Sequence, residues 1–286
     1  MKTASIGIIG GSGLYHIDNL TELDQIQVKT PFGDPSDTIT IGRIGSENVA
    51  FLPRHGKGHT INPSELPSRA NIYALKSIGV KQIISISAVG SLDINIKPQD
   101  MIVPNQLIDR TKARESTFFE KGIVAHVGLA EPFCPTLRKI LIEGAENNGT
   151  KVHTNGTYVV MEGPAFSTKA ESELYRSWNA SIIGMTALPE AKLAREAEIC
   201  YATLACVTDY DVWHDDFENV TVEMVIKNLQ SNVANSRKIL ASILPNLPDQ
   251  IKCKCNNSLK DAIISDLNNL DPKIVERLNP IIHKYI

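Results

Sequence analysis

The chain has 286 residues, 42% of them hydrophobic and 21% charged, with a formal net charge of −3. This is the profile of a soluble globular protein; it argues against a generic nucleic-acid surface, and no apolar run approaches the length of a membrane span. Five scattered cysteines do not make a secreted disulfide scaffold.

From the N-terminus, Met1 to Ser5 lead straight into the apolar run Ile6 to Ile9 with no long h-region or small-residue cleavage site. No signal peptide is read there, and the cytoplasm is the expected compartment. The run ends in Gly10-Gly11-Ser12-Gly13. Thr38–Ile44 and Val49–Pro53 read as a β-pair around a turn at Gly45–Asn48. Ser68–Ile78 has helical spacing, closed by Gly79. Gln82–Val89 is a buried strand, Met101–Ile108 another, Pro135–Asn148 an amphipathic helix and Thr157–Met161 a strand. Helix over Ala170–Trp178, strand over Ser181–Met185 and helix over Pro189–Ala197 lead to the apolar run Ile199–Val207, then a long helix over Val222–Leu244. This alternation predicts an α/β fold, a three-layer α/β/α sandwich around a mixed, mostly buried sheet. Residues 1 to about 250 read as a single domain. Beyond Pro245, a polar stretch leads to a tail, 251–286, whose apolar spacing predicts two short helices divided at Asp271-Pro272. Cys253-Lys254-Cys255 opens that tail; with no His near it in sequence to complete a zinc site, it reads as free thiols on a surface.

Groups suited to a ligand fall at the ends of the strands, where open α/β sheets bind small molecules. The glycine loop offers backbone donors to an anion, but the dinucleotide fingerprint is incomplete, since His16 stands where its third glycine belongs. Arg54-His55 brings a bidentate fork and a second donor. Ser87-Ala88-Val89-Gly90 ends a third strand, and Glu162-Gly163-Pro164-Ala165-Phe166-Ser167 brings an acid, a kink and a ring that can stack on a purine. Gly184-Met185-Thr186 adds a thioether suited to a sugar face. Thr208-Asp209-Tyr210-Asp211 carries two carboxylates that point the same way if strand geometry continues. Such a pair suits two adjacent edge atoms of a base, one acid protonating a ring nitrogen and the other accepting from an amino group. Each element alone is also what an ordinary turn or solvated charge produces; the convergence is the signal.

Together, Ile6-Gly7-Ile8-Ile9-Gly10-Gly11-Ser12-Gly13-Leu14-Tyr15, Arg54-His55-Gly56, Glu162-Gly163-Pro164-x-Phe166-Ser167 and Met185-Thr186 with Thr208-Asp209-Tyr210-Asp211 resemble the trimeric purine nucleoside phosphorylase family, in its branch that cleaves 5′-methylthioadenosine. The resemblance runs from about residue 5 to 255. It implies reversible phosphorolysis of 5′-methylthioadenosine to adenine and 5-methylthioribose 1-phosphate, with phosphate as co-substrate and no metal or organic cofactor. It implies that Ser12, Arg54, His55, Ser87, Ala88 and Thr186 hold phosphate, that Met185 lies under the ribose and that Phe166 packs against purine or sugar. Asp209 would face N7 and Asp211 the 6-amino group; relatives that prefer 6-oxopurines carry Asn at the first of these positions. Ser167 and Val222 match positions linked to substrate choice. His126 matches a residue that a neighbouring subunit lends to the methylthio pocket, so a homotrimer or a dimer of trimers is implied. Three departures stand out: Ala165 and Lys169 where Arg is usual, and Leu66-Pro67-Ser68 for Val-Asn-Tyr. Cys134 with Cys200, and Cys253 with Cys255, resemble archaeal members that use disulfides, while Asn147-Asn148 and Asn256-Asn257 argue against a hyperthermophile. The alternatives are a phosphorylase for 6-oxopurine nucleosides or methylthioinosine, and a nucleoside-binding protein without turnover. A nicotinamide dehydrogenase, suggested by the glycine loop alone, is disfavoured by the missing glycine.

Overall fold

The computed structural model describes residues 2–11, 14, 20–214 and 222–286, and for 22, 23, 222–227 and 229 the backbone only. In chain order the elements are β1 (Ile6–Gly10), β2 (Thr21–Ile26), β3 (Ile39–Ile44), β4 (Glu47–Pro53), α1 (Ser68–Ser77), β5 (Gln82–Ser91), β6 (Met101–Ile102) and β7 (Gln106–Arg110). Then come α2 (Pro135–Asn147), β8 (Val152–His153), β9 (Thr157–Met161), α3 (Lys169–Ser177), β10 (Ile182–Gly184), α4 (Ala187–Glu196), β11 (Cys200–Asp209), α5 (Val222–Ile243) and α6 (Pro272–Ile282). Among the described residues no helix is long and apolar enough to cross a membrane.

The strands form one mixed sheet in the order β2-β3-β4-β1-β5-β10-β9-β7, with β11 pairing β5 and β6, and β6 pairing β8. Alternation along the central strands divides their side chains between two cores. On β1, Ile9 faces one core, and Ile6 and Ile8 the other; on β11, Tyr201, Ala205 and Val207 face the first, and Ala202, Leu204 and Cys206 the second. The first core is closed by α1, α4 and α6, the second by α2 and α5. Three layers result, as the strand and helix alternation predicts.

The pairing of β5 positions the site. One edge carries β11 over most of its length. The other carries β1 at Gln82–Ser85 and β10 at Ser91 and Gly90. Between those two partners the sheet opens beside Ile86 to Val89, at the carboxyl ends of β1, β4, β5 and β11.

Three expectations are corrected and two strands are added. Met101–Ile108 is not one strand: β6 pairs β11 and β8, and β7 pairs β9, with Pro104, which has no N–H to donate, at the break. The short or polar strands β2 and β8 have no apolar alternation to announce them. In the tail only α6 is an α-helix; the segment before it turns at Asp261, whose φ of 65° no α-helix accommodates, and forms a bridge between Ile263 and Ala125. Finally, the cysteines of the tail are not on a surface, since Cys255 is buried and Cys253 packs against the second core. The tail adds Ile251 and Cys255 to that core, and Leu278, Ile281 and Ile282 to the first.

Candidate active site

A cavity of about 300 Å³ opens at the split in the sheet, lined from Gly11, Arg54, His55, Ser87, Ala88, Phe166, Met185, Thr186, Asp209 and Asp211 among others. That volume suits a nucleoside-sized ligand.

Arg54 follows β4, and its backbone N–H donates to Gly10 O at 2.9 Å, joining the ends of β4 and β1. The guanidinium is buried and turned inward. Nε donates to Glu190 Oε1 at 2.6 Å and Nη2 to Glu190 Oε2 at 3.2 Å and Ser85 Oγ at 2.7 Å. Nη1 donates to Ile86 O at 2.9 Å. The bidentate fork expected for phosphate is therefore engaged by Glu190, and the second Nη1 hydrogen is the one left for an anion. Burial by itself lowers the Arg54 pKa, but the Glu190 carboxylate outweighs it and keeps the guanidinium charged.

His55 Nδ1 lies 2.8 Å from Ile61 O, and the ring stacks on His59 at 4.2 Å. A carbonyl accepts only, so Nδ1 carries the hydrogen and Nε2 is an acceptor in the neutral ring. Burial pushes the His55 pKa down to about 4, with Arg54 and His59 nearby acting in the same direction. At neutral pH His55 thus offers a lone pair rather than the second donor read from the sequence. Ser87 Oγ and Thr186 Oγ1 lie 2.9 Å apart, a hydroxyl pair joining β5 to the residue that precedes α4.

The acid pair departs from strand geometry. β11 ends at Asp209 after a register shift, and Asp211 takes a left-handed φ of 51° in a 3₁₀ turn. Both side chains still line the cavity. Asp209 Oδ1 accepts from Asp211 N at 2.8 Å, and Oδ2 lies 2.7 Å from Thr208 Oγ1, which is also 3.2 Å from Val89 O. Thr208 has one hydrogen for these two oxygens. A proton on Asp209 satisfies all three atoms, with Asp209 donating to Thr208 and Thr208 to Val89. Burial raises the Asp209 pKa accordingly. Burial also pushes Asp211 up to about 6, with Asp209 acting in the same direction when it is ionised and the adjacent Ser172 hydroxyl, which does not complete a hydrogen bond to it, acting against. Asp211 Oδ2 is buried with no hydrogen-bond partner. A buried carboxylate oxygen left without a partner, on a residue that lines a cavity, is a place for a ligand donor once the side chain turns toward it.

Glycine makes room for this pair: a Cβ on Gly90 would lie 2.8 Å from Asp209 Oδ1. At Gly163, φ is 72° and a Cβ would lie 2.5 Å from Met185 Sδ, so the Glu162-Gly163-Pro164 segment presses directly on the methionine. Leu14, Met161, Ile183 and Val233 complete an apolar side, and Phe166, 48% exposed, stands at its rim.

Of the other expected residues, Ser12 and the side chain of Val222 lie outside the described residues. Ser167 is buried but does not line the cavity; its hydroxyl donates to Met161 Sδ at 3.5 Å, beneath a residue that does. His126 lines no part of its own chain's cavity; it is exposed on a loop whose backbone bonds to Ala262 O. Sequence reading missed Glu190, although it shares the buried stripe of α4 with Ala187, Leu193 and Ala194, where an acid needs a partner. It also missed Arg114, which donates to Met185 O at 2.5 Å and Leu188 O at 2.7 Å and pairs with Glu162. Asn228 and Asn232, one turn apart on α5, hold the end of β11 through Thr208 O and Val207 O.

The profile of the phosphorylase superfamily matches residues 5–245. The chain belongs to that superfamily. The S-methyl-5′-thioadenosine phosphorylase of Thermosynechococcus vestitus is 52% identical over 99% of this chain and the whole of that protein. A methylthioadenosine phosphorylase crystal structure from an antarctic soil metagenomic library superposes with a TM-score of 0.92 at 46% identity, covering 98% of this chain and 99% of that one. An adenosine/methylthioadenosine phosphorylase mutant from Schistosoma mansoni, in complex with methylthioadenosine, gives 0.84 at 38% identity over 90% and 96%. In this phosphorylase the motifs quoted from the sequence converge on one cavity wherever they are described.

Proposed function

We propose that this phosphorylase cleaves the N-glycosidic bond of 5′-methylthioadenosine with inorganic phosphate, releasing adenine and 5-methylthioribose 1-phosphate. The observation that carries this reading is the acid pair: Asp211 Oδ2, buried and unpartnered, beside an Asp209 whose environment favours a proton. A purine with a 6-amino group supplies what each lacks, an N–H for Asp211 and a basic N7 for Asp209. The homologues named as methylthioadenosine phosphorylases support the same substrate.

As the glycosidic bond breaks, positive charge grows on the ribose and negative charge on the base. Asp209 shares its proton with N7, so adenine leaves neutral. Phosphate held by the Ser87–Thr186 hydroxyls, the remaining Nη1 hydrogen of Arg54 and the Ser12 loop stands against the developing cation and then attacks it. His55 Nε2, as an acceptor, takes a hydrogen bond from the protonated oxygen of monohydrogen phosphate. Met185 packs against the sugar, and Leu14, Met161 and Val233 exclude water from an apolar 5′ group. The chemistry rests on these side chains and phosphate alone.

The test is adenine release from 5′-methylthioadenosine, followed with and without phosphate. Release that depends on phosphate and yields a sugar phosphate is expected. Binding without turnover, or a clear preference for inosine-type substrates, would overturn the reading.

A further inference from the structure

At the opposite end of β11 from the acid pair, about 30 Å away along the strand, four cysteines converge. Cys134 is the N-cap of α2, Cys200 opens β11, and Cys253 and Cys255 come from the tail. Their four sulfur atoms all lie within 4.8 Å of one another. Cys253 Sγ is 3.1 Å from Cys200 Sγ and 3.7 Å from Cys134 Sγ. All four are free thiols, three buried and Cys253 partly so. The fifth cysteine, Cys206, stands apart, with its sulfur 3.4 Å from Ser236 Oγ.

Four sulfurs gathered from three separate segments are more than a small hydrophobic cluster requires. Around a tetrahedral zinc ion with Zn–S bonds of about 2.3 Å, sulfurs stand about 3.8 Å apart. Side-chain adjustments of about 1 Å turn the observed cluster into that tetrahedron. We infer that Cys134, Cys200, Cys253 and Cys255 form a tetrathiolate site for a structural zinc ion. The partner that Cys253-Lys254-Cys255 lacks in its own stretch of sequence is supplied by Cys134 and Cys200, brought in by the fold.

The chemistry of the donor set selects the ion. Thiolates prefer soft or borderline metals to magnesium or calcium, and a closed set of four leaves no open coordination position, which marks a structural rather than a hydrolytic zinc. Binding breaks four S–H bonds, forms four Zn–S bonds and releases four protons to solvent, with no change in oxidation state. The site then carries two negative charges. The ion would fasten the tail to α2 and β11, closing sequence gaps of 119 and 53 residues.

The test uses the full chain, expressed with added zinc and purified under reducing conditions without chelator. Elemental analysis should find one zinc per chain that survives gel filtration. Exchange into cobalt should give thiolate-to-cobalt charge transfer together with the intense visible bands of tetrahedral cobalt. The double variant C253S/C255S should lose both signals, and C206S should keep them. The wild-type stoichiometry and cobalt spectrum decide the matter even if the double variant fails to fold. Reduced wild-type protein that takes up no stoichiometric zinc or cobalt overturns the proposal. So does metal retained by C253S/C255S, or protein isolated without added oxidant whose mass is four hydrogens short, the mark of two disulfides.

Discussion

Glu190 accepts from both Nε and Nη2 of Arg54 and from Tyr201 Oη at 2.9 Å, so removing the guanidinium strands a buried carboxylate. Arg54→Ala is therefore expected to lose about 3–5 kcal/mol of stability in addition to weakening phosphate use. Urea unfolding measures the first and phosphate titration at saturating nucleoside the second; a variant as stable as wild type contradicts the buried pair. At Asp209 the expected effect is on specificity. Asp209→Asn should move preference toward 6-oxopurines by about 1–3 kcal/mol, because an amide keeps a donor for O6 while Asp209, once its single proton has gone to N7, is a carboxylate that repels O6. An unchanged ratio of adenosine-type to inosine-type rates removes Asp209 from base reading. The pair also fixes a pH dependence. Asp211, pushed up to about 6, accepts from the amino group more strongly when ionised, so kcat/KM should fall as pH drops through 6. Phosphate protonates in the same region, but that titration is shared by every variant. Asp211→Asn should thus be slower and keep only the phosphate component of the acid limb; an acid limb identical to that of wild type rules out Asp211 as its source.

Elements place these residues to within tenths of an ångström, and Gly90 on β5 shows how. A Cβ there meets Asp209 Oδ1 at 2.8 Å, Ile183 Cγ2 at 3.3 Å and Asp211 Cβ at 3.4 Å. Gly90→Ala should lower kcat/KM by about tenfold or more through misplacement of the acids, while circular dichroism reports an intact fold; full activity would show that the acids need no such fit. On α4, Glu196 accepts from Phe118 N and Thr117 Oγ1, both at 2.7 Å, yet burial pushes its pKa up to about 7. A carboxyl whose folded pKa is raised contributes stability that is present below the unfolded value and lost as pH rises through the folded one. Glu196→Gln should flatten the decline in stability between about pH 4.5 and pH 7; thermal melts across that range check it, and parallel curves for variant and wild type would disprove it. The major helices and the buried central strands were legible because a 3.6-residue or continuous apolar pattern marks them, as on α1 and β11. The strand ends that bear Arg54, Ser87 and Asp209 were legible with them. What was not legible depends on contacts and backbone angles that no apolar pattern marks: the Arg54–Glu190 pair spans 136 residues, the tautomer of His55 is set by Ile61 O, and the left-handed turn at Asp211 breaks the alternation on which a sequence reading relies.

At the scale of the whole molecule the tail gives no argument for assembly, because α6 buries Leu278, Ile281 and Ile282 on its own chain's core. The remaining argument comes from the cavity and its surroundings. Its rim residue Phe166 is 48% exposed, and Leu174 and Trp178, four residues apart in and just beyond α3, are 46% and 40% exposed. A methylthio group bound there would lack an apolar wall on the open side. His126 stands beside Val124, itself 46% exposed, and does not line the active-site cavity of its own chain. A cyclic trimer with head-to-tail contacts would set the His126 loop of one chain against the open rim of the next without self-pairing. The active protein is therefore expected to be an oligomer built on a trimer, and light scattering of the purified protein checks the mass. Subunit mixing checks the geometry. An Asp209→Asn chain keeps His126, and a His126→Ala chain keeps Asp209. If His126 acts across the interface, co-refolded mixtures contain sites with both groups intact and show more 5′-methylthioadenosine cleavage than the average of the two variants alone. If it acts within its own chain, no mixed site has both, and activity stays at that average. A fully active monomer would defeat the trimer outright.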